Sequence, residues 1–123
     1  MTKVLVLSVV FFFAGLAGIN AQYMSSNDAI LTLKQQLHTL ENDFQNASSN
    51  TARQDIAFKY RYFSVVLEEI DNGNEIGAAI QDNAPLNKPL IHSSGLVAFT
   101  NEHPNFRQER DALVLYLDNL LSE

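Results

Sequence analysis

An all-α fold, a small antiparallel helical bundle of about four helices preceded by a cleaved signal peptide, is what this sequence predicts. Apolar residues recur at three- and four-residue spacings in separate stretches, which places them on one face of a helix in each. Polar segments rich in Asn, Ser, Gly and Pro divide those stretches, and short connections favour antiparallel neighbours. No stretch keeps the two-residue alternation of a half-buried strand, and no internal repeat is present.

The chain opens with Lys3 and an apolar run from Val4 to Leu16, followed by small residues ending at Ala21. A positive charge, an apolar stretch and a small-residue site in that order form a secretory signal peptide. A spanning helix needs about twenty apolar residues, and this run stops short of that before polar Asn20, Gln22, Ser25 and Ser26. Cleavage after Ala21 puts Ile19 and Ala21 at the minus-three and minus-one positions, with cleavage after Gly18 as the alternative. Residues 1–21 are therefore expected to be a signal peptide and 22–123 a single helical domain, secreted and extracellular. Charged residues interrupt every later apolar stretch, so no stable membrane span is expected.

Residues 22–27 read as a flexible lead, in which Ser26 or Asn27 can cap a first helix over about 28–46. Asp28 suits the positive end of its dipole, and Ile30, Leu33, Leu37, Leu40 and Phe44 form its apolar face. Residues 45–50 read as a loop. A second helix starts near Thr51, capped by Thr51 with Gln54 or by Asn50. Its seam is Ile56, Tyr60, Phe63, Leu67 and Ile70, widened by Phe58, Tyr62, Val65 and Val66, so it should touch several neighbours. Asn72-Gly73 ends it, because Gly takes the left-handed conformation readily.

A short helix around Ile76, Ala79 and Ile80 follows, weakened by Gly77 and limited by Pro85 and Pro89. Residues 90–103 read as a further helix with Leu90, Val97 and Phe99 buried. Pro104-Asn105 restarts the chain. Phe106, Leu113, Val114, Leu117, Leu120 and Leu121 then define a last amphipathic helix over about 105–121.

Charge and composition exclude several classes. The chain has 8 Lys plus Arg against 14 Asp plus Glu, and cleavage after Ala21 removes only Lys3, taking the net charge from −6 to −7. Such a surface repels nucleic acid and anionic membranes, so neither DNA or RNA binding nor membrane attack is expected. With no cysteine, the fold has no disulfides and no thiol chemistry. Its stability must come from packing or self-association.

No catalytic, cofactor-binding or metal-binding residue is expected. His38, His92 and His103 have no partner histidine three or four residues away and no HExxH, so they read as surface or loop histidines. Ser94 lies near His92 without a GxSxG elbow. Glu68, Glu69 and Asp71 read as a solvated helix end. Counting a calcium loop from Asp71 puts Ile76 at the turn glycine and Asp82 at the bidentate Glu, so a helix cap and turn account for the segment better. Lys59-Tyr60-Arg61-Tyr62 mixes cations and rings but reads as a core helix with solvated basic residues, a small interaction patch being the alternative. Asn46-Ala47-Ser48 is the one glycosylation sequon and falls in the expected loop.

Phe99-Thr100-Asn101-Glu102-His103 resembles a short stretch of the Turandot stress proteins, small cysteine-poor exported helical proteins of insect body fluid that are similar in size and general design. The likeness spans these residues alone and transfers neither a function nor a site.

Two functional expectations follow. The first is a secreted, non-enzymatic interaction protein acting in an extracellular fluid through a protein or cell-surface partner. The alternative is an extracellular carrier of a small apolar ligand or lipid, lined by Phe44, Tyr60, Phe63, Val66, Phe99, Phe106 and Leu117. Homo-oligomerisation through the apolar seams is compatible with either.

Overall fold

The structure is a computed structural model and describes residues 22–87 and 99–123. The expected signal peptide, His92, Ser94 and residues 90–98 of the expected fourth helix lie outside the described residues. The described part is mostly helical: α1 is Ser26–Asn46, α2 Asn50–Asp71, α3 Ile76–Asp82 and α4 Phe106–Leu121. Residues 99–102 are also helical and end at His103. No described helix is long and apolar enough to cross a membrane.

Helix starts are set by serines one residue before the expected caps. Ser25, one residue before Ser26, accepts the Asp28 amide at 3.2 Å, and Ser49, before Asn50 and Thr51, accepts the Ala52 amide at 3.1 Å. Each side-chain oxygen satisfies one of the amides that a helix start leaves without an internal partner. Gly73, at φ 99°, ends α2 as expected, with its amide donating to the Ile70 carbonyl.

α1 and α2 pack along their lengths, α2 touches α3, and α3 touches α4. Ala29, Leu33, Leu37 and Leu40 of α1 meet Tyr62, Phe63, Val66 and Ile70 of α2, closed off by Ile76, Ala79, Ile80, Leu117 and Leu121. The face of α2 is rotated from the expected seam: Phe58, Tyr62 and Val66 are buried, whereas Tyr60 reaches the surface and donates to Glu41. On α1, Ala29 is buried in the place expected for Ile30, and Phe44 is exposed. Each fully buried Leu or Val contributes roughly 1.5–3 kcal/mol relative to exposure.

With 7 residues α3 is far below the length at which an isolated helix persists, so its neighbours must hold it. Its last carbonyls are satisfied from outside the helix ladder. Asn83 Nδ2 donates to the Ala79 carbonyl at 2.9 Å, Tyr62 Oη to Ile80 at 2.7 Å and Asn87 Nδ2 to Gln81 at 2.8 Å.

Residues 22–24 are not the flexible lead expected from composition. Tyr23 forms an antiparallel bridge with Ser122, the Met24 amide donates to the Leu121 carbonyl, and the Glu123 amide donates to Gln22. Tyr23 also donates its hydroxyl to Asp118, and its ring lies against Gly77. Burial, then the Asp118 hydrogen bond and charge, push the Tyr23 hydroxyl up to about 12. The lead thereby ties the start of α1 to the end of α4, which places α4 antiparallel to α1 and its first turns beside the first turns of α2.

Candidate functional site

The first turns of α2 and α4 and the last turns of α1 surround a groove of about 560 Å³. Its floor is a second aromatic cluster, separate from the main core, made of Phe58, Phe99 and Phe106. Phe58 and Phe99 stack with centroids 4.3 Å apart, and Phe106 meets them edge-on at 5.6 and 5.2 Å. These offset and edge-to-face arrangements are the ones that ring quadrupoles favour. Phe63 and Tyr116, stacked at 6.1 Å, continue the wall, and Tyr116 donates to Gln36 of α1. Asp43, Asp55, Lys59, Glu109 and Arg110 form a charged rim in which acids outnumber bases. Arg110 is engaged by its neighbour Asp111 at 2.6 Å.

Beneath the floor lies His103, only 8% exposed. Its ring stacks on Phe99 at 4.0 Å, Nδ1 is 2.8 Å from the Phe99 carbonyl, and Nε2 is 2.6 Å from Asp55 Oδ1. The carboxylate oxygen lies off the axis of the ring N–H, so that contact is an ion pair more than an aligned hydrogen bond. Both ring nitrogens therefore face acceptors, and only the imidazolium has two donors to offer them. Burial by itself lowers the His103 pKa, but the Phe99 carbonyl and the Asp55 carboxylate, with a smaller contribution from Glu109, outweigh it and hold the value above the ordinary 6.5.

Of the residues expected to line an apolar site, Phe63, Phe99 and Phe106 come together at the groove. Val66 and Leu117 are fully buried in the main core, Tyr60 lies at the edge of the α1–α2 contact, and Phe44 is exposed on α1. Phe58, Asp55, Leu113 and Tyr116 also line the groove without having been expected there, and His103 pairs with Asp55 beneath it. Asp55, Phe58 and Lys59 stand three and four residues apart, a helical spacing that does put them on one face. His103 is the loop histidine expected, but it is buried rather than at the surface. It follows a helix end, and its burial depends on a partner from a distant part of the chain.

The other expected features are found at the surface. His38 lies 3.9 Å from Glu41 with 75% of its side chain exposed. Asn46 is exposed as the last residue of α1. Among the described residues no group of three or more His, Asp or Glu side chains is placed to hold a metal ion. No protein-family model matches this chain, and neither a curated protein nor a solved structure shows significant similarity to it. The likeness at residues 99–103 therefore assigns no family.

Proposed function

We propose that the mature chain is a secreted, non-enzymatic helical protein of an extracellular fluid that acts by binding a protein or cell-surface partner in the groove between α1, α2 and α4. The observation that supports this most is the form of the groove, a floor of packed rings inside a charged rim. Partner binding concentrates its energy in a few anchors seated in such pockets, with rim charges setting orientation and encounter rate. Export is supported by the pattern from Lys3 to Ala21. The non-enzymatic reading is supported by the sequence, which carries neither a GxSxG elbow nor an HExxH motif. α1–α4, with the short helical segment 99–102 as a fifth piece, are read as a small antiparallel bundle. Asn46 is open to a glycan, and exposed Leu31 and Leu115 offer apolar surface for self-association.

One observation favours the carrier reading. A volume of about 560 Å³ falls within the range of small-molecule sites, about 300–1,000 Å³.

Ala112 is exposed and lines the groove, so Ala112→Trp fills it without touching the core. Mature wild type and this variant are immobilised and exposed to the native extracellular fluid. A partner retained by wild type and lost by a variant with an unchanged circular dichroism spectrum supports the groove as the binding site. Equal retention by both moves the interface elsewhere and overturns the reading. An apolar molecule extracted from the purified protein, with no protein partner retained, favours the carrier.

A further inference from the structure

We propose that His103 is a proton-operated clamp: as an imidazolium held between the Phe99 carbonyl and Asp55 it fixes residues 99–103 against α2, and loss of its proton to solvent loosens the aromatic floor of the groove. The inference concerns the device under the groove and does not depend on what the groove binds.

The argument rests on donor counting in a buried place. A neutral imidazole has one N–H and one lone pair. With acceptors at 2.8 and 2.6 Å on its two nitrogens, a neutral ring must point a lone pair at either a carbonyl or a carboxylate oxygen. The ring itself is only 8% exposed, while the Asp55 carboxylate, 42% exposed, is free to turn to solvent once the ring is neutral. Loss of the proton therefore ends the ion pair with Asp55, whereas the charged ring holds both acceptors, the Phe99 carbonyl by a hydrogen bond and the Asp55 carboxylate by charge.

The clamp is coupled to the groove through Phe99. That ring is stacked between His103 at 4.0 Å and Phe58 at 4.3 Å, and Phe106 leans on it at 5.2 Å. The ion pair joins the chain just after the helical residues 99–102 to Asp55 in the first turns of α2, and the rings pack on that join. The charged groups around His103 come from both neighbouring helices. On α2, Asp55 is followed one turn later by Lys59; on α4, Glu109 adds to the negative field, and Arg107 shares a surface cleft with His103. Glu102, on its own segment, is exposed.

The sign follows from the raised pKa. Stabilisation by His103 is fully present below the unfolded value of 6.5 and is lost as pH rises through the higher folded value. The floor is thus firm below pH 6.5 and loosens as pH rises through the raised folded value.

NMR titration of the mature protein tests this directly. The His103 ring proton is expected to titrate above 6.5, with the Phe99 and Phe106 ring resonances shifting at the same midpoint. In His103→Gln, which carries no titrating group there, those phenylalanine shifts are expected to vanish. Should that variant not fold, Asp55→Asn serves, and the His103 and phenylalanine midpoints are expected to fall together. Titration of His103 at or below 6.5, phenylalanine rings that do not respond to it, or midpoints unmoved by Asp55→Asn would each overturn the clamp. Ala112→Trp, which blocks the groove, is expected to leave the midpoint in place, separating a failure of the clamp from a failure of the binding-site reading.

Discussion

Tyr62 is one of the side chains that hold α3, and replacing it by Phe isolates a single hydroxyl. The residue is fully buried, and its hydroxyl donates at 2.7 Å to the Ile80 carbonyl near the end of α3. Phe keeps the ring and its packing, so the loss is the hydrogen bond and the satisfaction of its acceptor. A net hydrogen bond contributes about 0.5–1.5 kcal/mol, and a buried carbonyl left without a donor costs about 1–3 kcal/mol. We expect Tyr62→Phe to lose about 2 kcal/mol, which in a domain of this size lowers Tm by roughly 10 °C. Urea and thermal unfolding followed by far-ultraviolet circular dichroism measure both quantities. Tyr60→Phe is the matched control. It removes an exposed hydroxyl that donates to Glu41 at 3.0 Å and should stay within about 0.5 kcal/mol of wild type. Equal effects of the two substitutions, or a Tyr62→Phe loss below about 0.5 kcal/mol, would refute the reasoning that α3 is held by its satisfied carbonyls.

The same variant makes an alkaline prediction. Burial first, then the Asp118 charge, raise the Tyr62 hydroxyl far above the ordinary 10.0. A raised folded value means stability that is complete below pH 10 and declines as pH rises toward that value, so Tyr62→Phe should flatten the decline. Tyr23, pushed up to about 12, contributes a second share, so a residual slope should remain until Tyr23→Phe is added.

Two glycines give further checks by the same unfolding assays. Gly73 has open space around it but a φ of 99°, so Gly73→Ala should cost about 1 kcal/mol through backbone strain alone. At Gly77 two effects oppose each other, since Ala is the better helix former, by at most about 1 kcal/mol at this first-turn position, while its Cβ would lie 3.1 Å from Tyr23 Cε2. The Tyr23 ring is pinned by Asp118 and cannot give way freely, so Gly77→Ala should destabilise wild type yet stabilise a Tyr23→Ala background. The same sign in both backgrounds would exclude that contact as the reason for the glycine.

The helices were legible in the sequence because their evidence is local. The three- and four-residue spacing of Leu33, Leu37 and Leu40, the stop at Asn72-Gly73 and the short segment around Ile76, Ala79 and Ile80 all depend on neighbours within a turn or two. Ser25 and Ser49 were legible in kind, since Ser, Thr, Asp and Asn all cap well, but which of several adjacent candidates does so depends on backbone angles that composition does not encode. The rotation of α2 was not legible. Its apolar surface is wide enough for two choices of centre, and the positions of α1, α3 and α4 decide that Tyr62 and Val66 are fully buried while Tyr60 is only partly so.

What the sequence by itself determined is a set of amphipathic helices without cysteine cross-links, because periodicity and composition are properties of short segments. Only the tertiary structure decided that residues 22–24 clasp residues 121–123, that Tyr62 satisfies a carbonyl of α3 and that His103 meets Asp55 under three phenylalanines. Each of these joins groups far apart along the chain. Their pairing is set by how the helices pack, and the chemistry of His103 follows from burial and from acceptors that no local reading brings together.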